Sequence, residues 1–526
     1  MDLAILSSKI FTGNPRQPWA EALGIKQNRI VTLGSNNEIK KECNARTRIL
    51  ELKGRLVTPG FVDGHLHFVN MGLALMRVDL RNAASLAVCR ERIRQAAAKH
   101  KPGEWILGRG WNHHQWTEQR EPNRFDLDDI APDNPVMMIR TCGHSIWLNS
   151  AALAKTEVHR DTPDPAGGRI DRDPKTGEPT GLLHEARAML EKHITVGPET
   201  LRQAALTAQQ EAFRFGLTGV HSCELLQHWD TLSALNREEK LKLRVYHTLP
   251  TDELAAARER GIKPGFGDER LWFGKIKLFA DGSMGAATAL LHEPYSDDPA
   301  NSGIAILNVA ELQKKVEAAY QAGWEVAVHA IGDKGVSNVL DAIAAARQKY
   351  PGLRRDRIEH VQMIRPSDLT RLYELGITAS IQPVHLLNDR PTAERKWGLT
   401  RCRYAYAYGS MRTNRIPLLF GSDAPVESAN PLLSLQLAVA RRSPQWGSVP
   451  AWFPEEALTL EQSLASFSGL AAWSSYREDR LGSLSPGKWA DLTVLEKDLF
   501  ALAPEEWSEV KVETTIINGE VVYQKQ

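Results

Sequence analysis

The pair His65-Leu66-His67 is the first place in this chain where residue type and spacing suggest chemistry. Side chains alternate along an extended segment, so both imidazoles point the same way and can grip one metal ion. The preceding Pro59-Gly60-Phe61-Val62-Asp63-Gly64 sets a glycine beside the pair, where the backbone is expected to bend tightly. Further along lie His221, His247, Lys275, Lys277, His329, His360 and Asp423, each in or just after a short apolar run. A lone HxH says little. Several histidines in succession, closed by an aspartate, are the nitrogen and oxygen donors of a divalent-ion site, and such a site activates water for hydrolysis.

These residues need a frame that gathers distant segments. Eight apolar stretches read as strands: Leu56–Val62, Thr218–His221, Leu243–Thr248, Phe273–Phe279, Glu325–His329, Arg357–His360, Ile377–Ile381 and Pro417–Gly421. Helical stretches such as Glu311–Ala322 and Val336–Tyr350 lie between them, the pattern of a parallel sheet with crossovers. The fold class is therefore α/β, and eight strands make a (β/α)₈ TIM barrel, whose active sites sit at the C-terminal rim. On this reading His65 and His67 follow strand one, His221 ends strand two and His247 lies in strand three. The two lysines lie in strand four, His329 and His360 end strands five and six, and Asp423 follows strand eight.

Residues 1–56 and 480–526 read instead as short strands with turns: Ala4–Phe11, Ile30–Gly34, Thr47–Leu52, Asp491–Glu496, Val512–Ile517 and Glu520–Tyr523. Asn518-Gly519 joins the last two and is a strong hairpin signal. One small β-sandwich-like domain assembled from both termini is expected. The barrel then spans 57–479, with an insertion at about 70–205 that is too long for a loop and should be a subdomain.

Composition narrows the partners. The 526 residues are 42% hydrophobic and 25% charged, with a formal net charge of +1. That balance gives no concentrated positive field for nucleic acid. No apolar run is long enough to span a bilayer, and Met1–Leu6 lacks the basic start of a signal peptide. Cys43, Cys89, Cys142, Cys223 and Cys402 form no CxxC pair, which fits a reducing, cytoplasmic setting.

The chain resembles the amidohydrolase superfamily, the relatives of urease, dihydroorotase and phosphotriesterase, and within it the family 3 branch that includes N-substituted formamide deformylase. The entry Val57–His67 and the tail Gly482–Leu492 carry the wider likeness. The narrower one rests on Gly143–Asn149, Lys277–Ser283, His329–Asp333, Ile358–His360 and Gly421–Pro425. The resemblance implies metal ligands at His65, His67, Lys277, His329, His360 and Asp423, holding one or two zinc ions, with two favoured. A carboxylated lysine bridges the pair in two-metal relatives. Lys275 and Lys277 alternate to one side, so spacing leaves both open, and so does an ion pair of the lysine with Asp281 or another barrel acid; the family pattern favours Lys277.

The implied mechanism is hydrolysis of a C–N, amide-type bond of a small molecule. Two ions ~3.5–4 Å apart share a hydroxide, one polarises the carbonyl, and Asp423 moves the proton to the departing nitrogen. His144, in the insertion, is expected to reach the substrate as a second catalytic residue, under a roof partly lined by Trp111, Trp116 and Trp147. The turn Gly108–His114 lies beside it in sequence; His113 and His114 point apart if extended. Asp333 is expected to cap a helix starting near Lys334. Two other functions stay open: a hydrolytic deaminase of the same superfamily, and a barrel without catalysis acting as a regulatory protein. No organic cofactor, nucleic acid or membrane partner is expected, and self-association as a homodimer is left open.

Overall fold

Strands covered on both faces are buried along their length: every residue of Leu217–Cys223 is buried, as are all but the last of Leu271–Phe279, although Thr218, His221, Ser222, Lys275 and Lys277 among them are polar. The computed structural model describes residues 1–141, 144–165, 167–186, 189–190 and 192–525. Cys142 and Gly143, which the sequence reading singled out, lie outside the described residues.

The central sheet has eight parallel strands in chain order: Phe61–Leu66, Leu217–Cys223, Arg244–Pro250, Leu271–Phe279, Glu325–Ala330, Arg357–His360, Thr378–Ile381 and Leu418–Phe420. The ring closes where the N–H groups of Ser422 and Asp423 donate to the His65 carbonyl at 3.2 and 2.7 Å. Helices such as Val309–Gln321 and Asp333–Lys349 make the crossovers. This is the TIM barrel.

Two boundaries differ from the sequence reading for physical reasons. Leu56–Val62 is not one strand. Leu56–Pro59 pairs with Leu492–Leu495 and Lys9–Phe11 in a terminal sheet, and the barrel strand begins at Phe61. Pro59 has no N–H to continue a ladder, and the chain changes sheet there. Ala4–Phe11 likewise splits into Leu3–Leu6 and Lys9–Phe11, because Ser7 takes a φ of 55°.

The termini build two sheets, one of four strands from residues 3–51 and one of six that joins Lys9–Phe11, Trp19–Ala20 and Leu56–Pro59 to Leu492–Leu495, Val512–Ile517 and Glu520–Gln524. Ile5, Ile25 and Ile30 of the first share an apolar core with Val57, Leu492 and Ile516 of the second.

The chain divides into two compact units, Met1–Gly72 with Arg202–Gln526, and Leu73–Leu201. The second unit has its own six-stranded sheet and its own core. Trp111, Trp116 and Trp147 sit in that core with ring centroids 6.1 to 6.2 Å apart. They are packing residues of this unit, which corrects the expectation that they line a pocket. Residues 108–111 belong to the strand Ile106–Trp111, not a turn. His113 and His114 follow in a single 3₁₀ turn that brings their rings, tilted by 43°, to a centroid distance of 4.0 Å instead of turning them away from each other. Among the described residues no helix is long and apolar enough to cross a membrane.

Candidate metal centre

His65 lies inside the first barrel strand, not after it, so the sheet itself fixes its backbone. Its N–H donates to Asp63 Oδ1 at 3.0 Å, and the same oxygen accepts from the Ser422 N–H at 3.1 Å. Burial pushes the Asp63 carboxyl up to about 6. Gly64 is needed for close approach rather than for a bend: its φ is not left-handed, and a Cβ there would fall 2.4 Å from Leu419 Cγ. His360 and Asp423 take φ values of 78° and 60°, a left-handed backbone that costs energy in non-glycine residues and aims both side chains off the strand ends.

Each of four histidines has one ring nitrogen within 3.0 Å of an acceptor oxygen. His65 Nδ1 lies 3.0 Å from Glu359 Oε2, and His67 Nδ1 lies 2.8 Å from the Cys223 carbonyl oxygen. His360 Nδ1 lies 2.8 Å from Gln382 Oε1, and His329 Nε2 lies 2.9 Å from the Gly282 carbonyl oxygen. Such a neighbour favours the N–H on that nitrogen, and in that tautomer the other nitrogen carries a lone pair available to a metal. The free atoms are then Nε2 of His65, His67 and His360, and Nδ1 of His329.

The free nitrogens of His65 and His67 face the same carboxylate oxygen, Asp423 Oδ1, at 3.3 and 3.4 Å. With the proton on the opposite nitrogen, two lone pairs would face an anion, an arrangement that a bound cation relieves. Donors held about 2.0–2.2 Å from a tetrahedral ion sit about 3.4 Å from one another, which is the spacing seen. The ligand atoms of His65, His67 and Asp423 all lie within 4.8 Å of each other, and the donor set fits a divalent ion. The His360 ring is 5.2 Å from that of His65 and 4.5 Å from that of His329, so the fourth and third histidines adjoin the same cluster.

Electrostatics favour the metal-binding forms of His329, His360 and Asp423. Burial and the Lys277 ammonium hold His329 down to about 4. Burial and the neighbouring His329 hold His360 well below its ordinary value. Neutral imidazole is the form that binds metal. Burial and Lys277 also press His65 downward, but the Glu359 and Asp423 carboxylates outweigh them and its pKa ends raised. Asp423 is lowered well below the carboxylate range; burial opposes this, and contacts from His65 and His67 prevail.

The two lysines of strand four differ. Lys275 Nζ pairs with Glu325 and donates to the Arg355 carbonyl at 2.6 Å, near the strand starts. Lys277 sits two residues nearer the rim, has no ion pair or hydrogen bond among the described residues, and acts electrostatically on His65, His329 and His360. Asp281 is not its partner, since that carboxylate accepts the N–H groups of Leu290, Ile331 and Gly332.

Other candidates fall elsewhere. His221 is inside strand two rather than at its end, and its Nδ1 faces Arg357 Nη1 at 3.0 Å in the barrel interior. His247 packs against Trp229 and Phe273, with ring centroids at 5.7 and 5.0 Å, outside the cluster. Asp333 is the first residue of the helix Asp333–Lys349, with Gly332 at the cap, and it accepts the His292 N–H. His144 belongs to the Leu73–Leu201 unit, where it is exposed and its Nδ1 lies 2.8 Å from Glu185 Oε1.

Four supporting residues escaped the sequence reading. Glu359 holds His65 and pairs with Arg357 Nε at 2.5 Å, both fully or almost fully buried. Gln382 orients His360, and His385 Nε2 lies 3.7 Å from Asp423 Oδ2. The position of His385 just past strand seven was the available signal.

A model of the amidohydrolase family matches residues 48–523. The chain belongs to the amidohydrolase family. Among curated relatives of this amidohydrolase, protein LONG AFTER FAR-RED 3 of Arabidopsis thaliana is 34% identical over 99% of this chain and 91% of its own length. N-substituted formamide deformylase of Arthrobacter pascens is 26% identical over 100% and 98%. A solved structure of an uncharacterized metal-dependent hydrolase from Pyrococcus furiosus superposes with a TM-score of 0.79 at 30% identity, covering 96% of this chain and 99% of that one. The protein is thus a hydrolase of this family by descent and by fold.

Proposed function

We propose that this amidohydrolase cleaves the C–N bond of a small neutral or weakly polar amide, with an N-substituted formamide as the leading candidate. The observation that carries the reading is the facing of His65 Nε2 and His67 Nε2 on Asp423 Oδ1 with their opposite nitrogens beside acceptor oxygens. His65, His67 and Asp423 would hold one ion. His329 and His360 would hold a second, with Lys277 shared after its amine adds to CO₂, forming an N–C bond and releasing a proton. Zinc suits this mixture of imidazole and carboxylate. A bound divalent ion supplies Lewis acidity and lowers the pKa of water toward neutrality.

The chain's own groups do the rest. Asp423 is ionised at neutral pH, so its Oδ2 can take the proton from water and return it to the amine nitrogen as the C–N bond breaks. His385, 3.7 Å from that oxygen, stands beside the transfer. His144 is proposed to contact substrate, not metal. A deaminase is less well supported: the acid after His329 is Asp333, which is taken up by the His292 N–H. The small substrate is suggested by the name of the formamide deformylase relative and by the absence of any basic cluster in the sequence.

The test is a screen of zinc-loaded protein against N-formyl, N-acyl and cyclic amides, reading released amine. Turnover that stops on chelation and returns with zinc supports the proposal. Metal-loaded protein that turns over no amide contradicts it and favours a regulatory role.

A further inference from the structure

The fold holds His67 differently from His65. The first barrel strand ends at Leu66, so His67 is the first residue past the sheet, and its side chain is 29% exposed where that of His65 is 1%. Its N–H donates to the Ala424 carbonyl at 2.8 Å, and its carbonyl accepts the Met71 N–H at 2.7 Å. His67 is therefore the residue on which the helix Phe68–Met76 starts, and its position follows from where that helix begins.

The first turn of a helix leaves N–H groups without partners inside the helix. A capping side chain usually accepts one of them, but the residue at this cap is His67, whose ring is turned to the Cys223 carbonyl at 2.8 Å. The acceptors come from the end of strand two instead. Ser222 Oγ accepts the Phe68 N–H at 3.1 Å, and Glu224 Oε1 accepts the Asn70 N–H at 2.9 Å. Three successive residues, Ser222, Cys223 and Glu224, thus hold the His67 ring and the first turn of its helix together. One turn further on the helix is pressed against the helix Pro198–Arg214, where a Cβ on Gly72 would fall 1.9 Å from the Ala204 carbonyl oxygen.

Glu224 makes its bond at a cost to stability. It is 2% exposed, and its Oε2 has no hydrogen-bond partner among the described residues. His228 Nδ1 stands 3.8 Å from that oxygen, outside hydrogen-bond range. Burial pushes the Glu224 carboxyl up to about 8, against hydrogen bonds from Asn70, Ser222 and Val69. A buried polar atom left unpaired costs about 1–3 kcal/mol. Departures of this kind from a well-satisfied interior collect where function needs them.

We propose that Glu224 is a positioning residue for His67: by fixing the start of the helix Phe68–Met76, it sets the angle at which His67 Nε2 meets a metal ion. Glu224 touches neither ion nor substrate. The inference rests on the metal-centre reading and is independent of which bond the enzyme cleaves.

Cobalt(II) is the probe, titrated into the metal-free full-length protein, because its visible spectrum reports the geometry of its ligands. Zinc affinity is read alongside by chelator competition, and denaturant melts are run on the metal-free proteins. Glu224→Gln keeps an acceptor oxygen for Asn70 and should leave the cobalt spectrum and the zinc affinity as in wild type. Glu224→Ala should alter the spectrum and weaken zinc by about tenfold or more. Glu224→Asp withdraws the carboxyl by one methylene and should alter both in the same direction, which keeps the test decisive where Glu224→Ala fails to fold. A residue serving packing alone would lower the melts and leave the cobalt spectrum of the folded protein unchanged, and that result would overturn the assignment. So would a Glu224→Gln protein as impaired in zinc binding as the Ala or Asp variant. Wild-type protein that takes up no cobalt would overturn the metal centre itself, and this assignment with it.

Discussion

Glu359 Oε2 lies 3.0 Å from His65 Nδ1, and its other oxygen meets Arg357 Nε at 2.5 Å, so a buried ion pair aims a metal ligand from within the barrel. Burial alone would raise the Glu359 pKa, yet Arg357 and His65 bring it well below the carboxylate range. A carboxylate that orients a ligating histidine is worth about 10–100-fold in metal affinity. Glu359→Gln should show that loss in a chelator competition titration while keeping the fold. Glu359→Ala should in addition destabilise by about 3–5 kcal/mol, because Arg357 then loses its hydrogen-bond acceptor as well as its counter-charge, whereas the Gln amide oxygen still accepts from it. Unaltered zinc affinity in the Gln variant would show that the pair serves packing alone.

Lys277 and Lys275 should separate cleanly. Lys277→Ala is expected to abolish activity with the melting temperature little changed, and short carboxylic acids should restore part of the rate. Lys275→Ala strands Glu325 and should act chiefly on stability. A bare ammonium at Lys277 in active, metal-loaded crystals would rule out the carbamate.

Asp423→Asn keeps the size and removes the base. Loss of general acid–base help lowers turnover by about 10²–10⁴-fold. The comparison needs equal metal content in both proteins. Near-normal turnover with metal retained would remove Asp423 from the proton path.

His247 gives a pH prediction outside the site. Burial holds its imidazole down to about 3. Its folded pKa lies below the unfolded value of about 6.5, so below that value the unfolded chain takes up the proton first. The stability contributed by the wild-type residue is complete above about pH 6.5 and falls as pH drops toward 3. His247→Phe fills similar space against Trp229 and Phe273 without titrating. Its stability relative to wild type should improve about tenfold in the folding equilibrium for each pH unit below about 6. A stability difference that stays flat from pH 7 to 4, read by denaturant melts, would contradict this.

Much of this was legible in the sequence because it rests on short-range pattern. The eight apolar runs give the barrel, and His65-Leu66-His67 gives the paired imidazoles. What was hidden depends on contacts between segments far apart in sequence. The acceptor for His67 is a backbone carbonyl on strand two, and that for His360 is a side chain just past the end of the next strand. Glu359 should point away from His360 by strand alternation, but the left-handed turn at His360 ends the alternation and lets both adjoin His65. Alternation could not separate Lys275 from Lys277 either. Depth does: two residues along a strand is about 6.6 Å, enough to carry one lysine from the Glu325 pair to the histidines. The tryptophans of the insertion misled because nearness in sequence to His144 says nothing about which core they fill.

The central claim is that His65, His67 and Asp423 face one another across a metal ion. Anomalous diffraction at the zinc edge, on crystals of protein purified without chelator, tests it most directly. The account predicts a peak about 2.0–2.2 Å from His65 Nε2, His67 Nε2 and an Asp423 oxygen, and a second beside His329 Nδ1 and His360 Nε2. Fully active protein with no anomalous peak at these atoms would contradict it.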